Sequence, residues 1–172
     1  IEKKYTNITQ TVDGITKVVG ILRDDLSGSA DIYAKIQQTA KQIELLVQEV
    51  NKEYSKKIVT LEDPIEYEHK SDKSIIIQKE IGKESDVLTF ADGLKNLLRE
   101  DSDIAVLGEI RDKATMDVAL DLAESGGLVI GTLHTRSCGE TVERIINMYD
   151  PADQRSVKGS ISSVLKLVVS QR

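Results

Sequence analysis

Three apolar runs in this chain each end abruptly in side chains that can do chemistry. Lys57–Leu61 leads into Glu62-Asp63, Ile104–Leu107 leads into Gly108-Glu109-Ile110-Arg111-Asp112, and Leu128–Leu133 leads into His134-Thr135. In an open α/β sheet, ligands bind just outside the carboxyl ends of parallel strands. If the runs are neighbouring parallel strands, their polar ends line one edge. That edge holds carboxylates for a metal or a water, an arginine for phosphate charge, and a histidine. Such a set reads as a nucleotide-hydrolysing site. Glu109, after a four-residue apolar strand and a glycine, stands where a water aligned on a terminal phosphate needs a base or an orienting acceptor.

The elements that must carry these residues are legible in the hydrophobic pattern. Lys57–Leu61 reads as a strand that Glu62-Asp63 leave and Pro64 stops. Ser74–Gln78 is a short β-branched run between charged turns, an edge strand. Thr89–Arg99 places Phe90, Leu94, Leu97 and Leu98 at helical spacing, with Thr89 as its cap and Asp92 at the third position. Ile104–Leu107 and Leu128–Leu133 are buried strands. Lys113–Ser125 is a helix ended by Gly126-Gly127. Gly139–Tyr149 is amphipathic, and Asp153–Gln171 is expected to be a last helix. Apolar strands linked by helices imply a parallel sheet with right-handed crossovers. Asp103 begins its strand, so it falls at the end opposite Glu109 and reads as a cap or turn residue. His69 reads as a surface residue in a charged loop.

Residues 1–56 follow a different rule. Ile1, Tyr5, Ile8, Val12, Ile15, Val19, Leu22 and Leu26 alternate steps of four and three. The frame resumes through Tyr33, Ile36, Ala40, Ile43, Val47, Val50 and Tyr54. Such a heptad pattern indicates a coiled coil or helical bundle, and residues 30–56 are rich in helix formers. A second reading stands beside it for residues 17–31. Lys17–Leu22 makes a strand there, followed by a loop and the long helix, the layout of a degenerate phosphate-binding loop. Asp24, Asp25 and Asp31 would then set carboxylates where phosphates need N–H groups and a lysine.

Whole-chain numbers bound the class. The chain has 172 residues, 40% apolar and 30% charged, as expected of a globular domain with a true core. The net charge of -6 argues against nucleic acid as a partner. The lone cysteine, Cys138, excludes an internal disulfide and reads as a small residue past His134. No run approaches the ~20 apolar residues of a membrane span and no signal peptide is visible, which makes the cytoplasm the expected compartment. Trp is absent and Phe90 is the sole Phe, so aliphatic residues must carry the core.

Thr60-Leu-Glu-Asp-Pro-Ile-Glu-Tyr67, Leu98-Arg-Glu-Asp-Ser-Asp103, Gly108-Glu-Ile-Arg-Asp112, Ala123-Glu-Ser-Gly-Gly-Leu-Val129 and Gly131-Thr-Leu-His-Thr135 stand in one order. Together they resemble the Asp box, Walker B and His box of the motor ATPases of type II secretion and of type IV pilus assembly and retraction. The resemblance covers about residues 57–172 and implies a partial RecA-like P-loop NTPase sheet, an α/β fold, preceded here by the helical segment 1–56. It gives Glu109 the catalytic Walker B place. Glu62 and Asp63 become the Asp-box acids that hold Mg2+ and position water, as magnesium's preference for few carboxylates allows. His134 becomes the residue sensing the terminal phosphate or a neighbouring subunit, and Arg111 a partner for Asp112 or a phosphate. Arg99-Glu100-Asp101 is a charged helix end or a subunit contact. ATP is the implied nucleotide. A hexameric ring of like subunits at the inner-membrane secretion or pilus machinery is the implied assembly.

One element of the pattern has no counterpart in this sequence. The string G-x-x-x-x-G-K-[ST] occurs nowhere, and the nearest segment, Asp25–Ile32, has Asp31 in place of the lysine. Two functions follow. One is a secretion or pilus motor ATPase domain. The other is a helical oligomerisation or scaffold protein carrying a relic, non-catalytic ATPase sheet.

Overall fold

The computed structural model describes residues 32–82 and 84–170, with side chains from residue 43 onward. The expectations for residues 1–31, including the heptads up to Leu26 and the strand and loop of 17–31, lie outside those residues. The chain divides into two compact units, Ile1–Leu46 and Val47–Arg172. Helix α1 (Ile32–Glu53) begins in the first and ends in the second. Among its described side chains, Val47 and Asn51 are buried while Ile43 and Val50 are half-buried; the Ile36 and Ala40 positions of the expected stripe lie outside them.

The second unit contains four strands and four further helices among the described residues. These are β1 (Lys57–Glu62), β2 (Ile75–Glu80), α2 (Phe90–Arg99), β3 (Ile104–Leu107), α3 (Lys113–Glu124), β4 (Leu128–Gly131), α4 (Cys138–Asn147) and α5 (Gln154–Val164). The strands form one sheet in the order β2-β1-β3-β4. Every pairing is parallel. The α/β fold with flanking helices is therefore present. Ile58, Val59, Leu61, Ala105 and Leu107 in the two central strands have no exposed surface. This follows from the rule that a parallel sheet is covered on both faces and so reads as continuous apolar sequence. Leu94 and Leu97 of α2 and Met116, Ala119 and Leu122 of α3 complete the core with Val157 and Ile161 of α5.

Local chemistry sets the boundaries. The Thr89 hydroxyl accepts the Asp92 N–H at 3.1 Å, as the sequence predicts for that cap. Asp112 caps α3 through the Thr115 N–H at 2.8 Å. The αL-side residue after α3 is Gly126, at φ 103, where a side chain would be strained. Helix α2 lies so close on β1 that a Cβ at Gly93 would stand 2.8 Å from Leu61 Cδ1. The last helix is shorter than the sequence predicts. It ends at Val164, and Leu165 is already extended. Val157 and Ile161 use up the face turned to the core. The Leu and Val residues beyond have no such face to continue, and β-branched side chains favour extended backbone.

Candidate functional site

The parallel sheet sends the ends of β1, β3 and β4 out along one edge. Register fixes their relation: the Gly108 N–H donates to Leu61 O at 2.9 Å, so Glu109 leaves β3 beside Glu62 leaving β1. The Ile110 N–H donates to Thr132 O at 2.9 Å, and the Thr132 hydroxyl bonds to Gly108 O. These bonds sew the tail of β3 to the tail of β4 and bring Glu109 to His134.

Glu109 is the centre of this edge. Its side chain is 13% exposed, and its Oε2 faces a guanidinium and an imidazole nitrogen. Arg111 Nε lies 2.5 Å away and His134 Nε2 lies 3.4 Å away. Both partners are mostly in solvent, at 69% and 59% exposure. The Glu109 carboxylate is thus oriented from the solvent side through one oxygen, which leaves Oε1 to accept a proton or orient a water. The backbone of His134 is held in turn, because Arg144 donates to its carbonyl at 3.1 Å.

Glu62 is held separately. Its Oε1 accepts the Thr60 hydroxyl at 2.5 Å and Gln78 Nε2 at 3.0 Å. Asp63 follows it, exposed, and joins Pro64 through a cis peptide bond. Among the described residues no hydrogen bond or ion pair joins Glu62 or Asp63 to Glu109, Arg111 or His134. The candidate residues therefore form two neighbouring groups on one edge.

No three His, Cys, Asp or Glu side chains gather into a metal-binding group among the described residues. Magnesium asks less of a protein: one or two carboxylates, with waters and phosphates completing its octahedron. Glu62, both of whose side-chain hydrogen bonds fall on one oxygen, beside an exposed Asp63, fits that donor set.

Three supporting residues were not marked by the sequence. Thr60 and Gln78 hold Glu62, and Arg144 holds His134. The first two carry a usable signal. Side chains two apart share a face of a strand, so Thr60 and Glu62 do, and parallel register sets Gln78 opposite Thr60. Arg144 has none, since it arrives from the next helix. Asp103 lies at the opposite end of the sheet, as its place at the start of β3 predicts. It accepts the Lys57 N–H at 2.9 Å and pairs with Lys56 Nζ at 2.9 Å. The Lys57 amide first, and then Lys56, hold its carboxyl below the usual aspartate range. His69 is half-buried rather than a free surface residue, its ring edge-on to Tyr67 with centroids 5.0 Å apart.

Comparison with known proteins agrees with this architecture. The family model described as "Type II/IV secretion system protein" matches residues 40–172. A twitching motility protein of Neisseria gonorrhoeae is 40% identical over 126 residues, 73% of this chain and 33% of that protein. The type IV pilus retraction ATPase PilT of Pseudomonas aeruginosa is 42% identical over 114 residues, 66% of this chain and 33% of the relative. The crystal structure of the pilus retraction motor PilT with bound ADP superposes with a TM-score of 0.74 at 41% identity, over 77% of this chain and 38% of that one. The Legionella pneumophila ATPase DotB gives a TM-score of 0.66 at 28% identity, over 73% and 35% of the two chains. The chain spans about a third of the length of these curated relatives. With the family's model covering most of its length and the parallel sheet in place, this chain belongs to the Type II/IV secretion system protein family.

Proposed function

We propose that residues 57–172 supply the Asp-box, Walker B and His-box half of an ATP site in a secretion or type IV pilus motor ATPase. The observation that carries the proposal is the convergence on Glu109: a largely buried carboxylate at a strand's carboxyl end, oriented by Arg111 and His134 through a single oxygen. In this reading Glu109 accepts or orients the proton of the attacking water through Oε1. Arg111 and His134 stand in solvent, where they can trade the carboxylate for the terminal phosphate of ATP. Glu62 positions the water from the neighbouring strand, and Glu62 and Asp63 are the residues that would hold Mg2+, whose contribution is to neutralise charge on the phosphates.

The motor works as a ring of like subunits, hexameric by the family resemblance, at the cytoplasmic face of an inner-membrane secretion or pilus machine. No described helix is long and apolar enough to cross a membrane. One observation favours a second reading, a scaffold with a relic sheet: the sequence contains no G-x-x-x-x-G-K-[ST]. The deciding experiment is equilibrium binding of a fluorescent ATP analogue with Mg2+, comparing the wild type with Glu109→Gln and Arg111→Ala. Saturable binding weakened by Arg111→Ala supports the ATP site. Its absence at millimolar nucleotide supports the scaffold.

A further inference from the structure

The Gln78 side chain, on the edge strand β2, makes three hydrogen bonds that belong to no element of the sheet ladder. Its Nε2 donates to Glu62 Oε1 at 3.0 Å and to Tyr67 O at 2.7 Å, and its Oε1 accepts the His69 N–H at 2.7 Å. The amide orientation is dictated by the partners. A carbonyl and a carboxylate oxygen demand the NH2, and an N–H demands the oxygen. Reversing the amide would lose all three bonds together.

The consequence lies in what the three partners are. Two belong to the segment that follows Asp63-Pro64, and one is the carboxylate of Glu62. One neutral amide therefore ties the position of residues 67–69 to the direction of Glu62. Thr60 completes the grip with 2.5 Å to the same Glu62 oxygen. With Oε1 held by two donors, Oε2 is the oxygen left for an outside ligand. A glutamate side chain otherwise has ample rotamer freedom, and fixing it beforehand removes that cost from ligand binding. A glutamine does this without adding a charge that would compete with a cation for the carboxylate, as a lysine would.

We infer that Gln78 is a positioning residue, which sets the Glu62 carboxylate, and the 67–69 segment with it, for a divalent cation. This rests on the proposed reading of Glu62 as a magnesium-site residue. Outer partners of metal-binding carboxylates commonly change affinity by about tenfold or more when removed.

The test is a titration of the full chain with Mn2+ in the presence of ADP, following the free-Mn2+ electron paramagnetic resonance signal. Thermal melts establish that each variant is folded. Gln78→Leu is expected to weaken Mn2+ binding about tenfold. Glu62→Ala should weaken it at least as much, and the double variant should be no worse than Glu62→Ala alone. Gln78→Asn keeps a neutral amide but is one methylene too short to reach Glu62, Tyr67 and His69 together. It should weaken Mn2+ binding as Gln78→Leu does, and it serves if leucine unfolds the strand. Wild-type binding in both Gln78 variants, with Glu62→Ala impaired, overturns the inference and leaves the reading of Glu62 standing. An additive double variant overturns it too, because Gln78 would then act elsewhere. Absence of Mn2+ binding, or indifference to Glu62→Ala, overturns both.

Discussion

Arg111 Nε sits 2.5 Å from Glu109 Oε2, an exposed guanidinium laid across a largely buried carboxylate. The two residues flank Ile110, whose N–H donates to Thr132 O just past β4 and whose side chain is buried. The intervening residue is anchored inward, so the pair closes over the strand end on the solvent side. The asymmetry in exposure separates the two roles. Glu109 is fixed by the sheet, and Arg111 is free to leave it.

Arg111→Ala is therefore expected to disturb nucleotide binding far more than folding. Exposed ion pairs contribute about 1 kcal/mol or less, so urea melts should shift by no more than that. Nucleotide affinity should fall about tenfold, the size of one lost charge-assisted phosphate contact of about 1.4 kcal/mol. Arg111→Lys should recover part of the loss, because it keeps the charge but not the planar fork. A large stability loss with unchanged affinity would make Arg111 structural.

Gly93 tests how tightly the sheet's covering helix must sit. Its missing Cβ would meet two methyl carbons of Leu61 at 2.8 and 3.0 Å, and Leu61 has no exposed surface into which to retreat. Gly93→Val should destabilise the chain by roughly 2–3 kcal/mol. The gain of about 0.5 kcal/mol in helix propensity over glycine does not offset that overpacking. Unfolding midpoints in urea measure it. A neutral or stabilising result would mean that α2 rides further from β1.

Legibility of this chain divides by the kind of signal involved. The runs of β1 and β3 were visible because a central parallel strand demands apolar residues on both faces, and the polar ends of the three runs marked the edge at once. The expectation of a buried strand over Leu128–Leu133 is corrected, since β4 stops at Gly131 on the sheet's edge with its residues half-buried or exposed. The Thr89 cap was visible because its partner is three residues away. The shared face of Thr60 and Glu62 was readable from the two-residue strand period, but the part of Gln78 was not, since it depends on which strands are neighbours and Ser74–Gln78 announced only a strand. Arg144 was hidden because it reaches His134 O from helix α4, and no strand register points to it. The last helix was overextended because the apolar residues after Val164 continue in number but have no core face left to meet.

Asp103 gives a pH signature at the end of the sheet remote from Glu109. Its folded-state carboxyl titrates below the ordinary aspartate range, held there by the Lys57 N–H and by Lys56. A depressed folded value means the charged form is favoured on folding. The added stability is therefore full above the unfolded aspartate range and is lost as pH falls through the lower folded value. Asp103→Asn should cost about 1 kcal/mol or less at pH 7, given how exposed the pair is. The gap between variant and wild type should hold down to about pH 5 and close below the ordinary aspartate pKa of ~4. Urea melts at pH 7, 5 and 3.5 check it. A gap unchanged at the lowest pH would assign the effect to shape rather than charge.

The most exacting expectation concerns turnover. A nucleotide triphosphate carries several negative charges, and a phosphate-binding loop meets them with converging N–H groups and a lysine. Three of the residues gathered at this edge, Glu62, Asp63 and Glu109, are acidic. Arg111 and His134 both lean on Glu109 before any phosphate arrives. The sequence supplies no lysine-bearing loop, and its nearest segment carries Asp31 where the lysine would stand. Acids can hold a cation and orient a water, but they cannot draw an anion to the edge. This chain by itself is therefore expected to hydrolyse ATP barely above background, and a loop supplied from elsewhere in a longer protein or from another chain should raise the rate. A steady-state phosphate-release assay of the chain beside Glu109→Gln measures it. Robust turnover in the wild type that vanishes in Glu109→Gln would mean that a phosphate cradle exists elsewhere in these 172 residues.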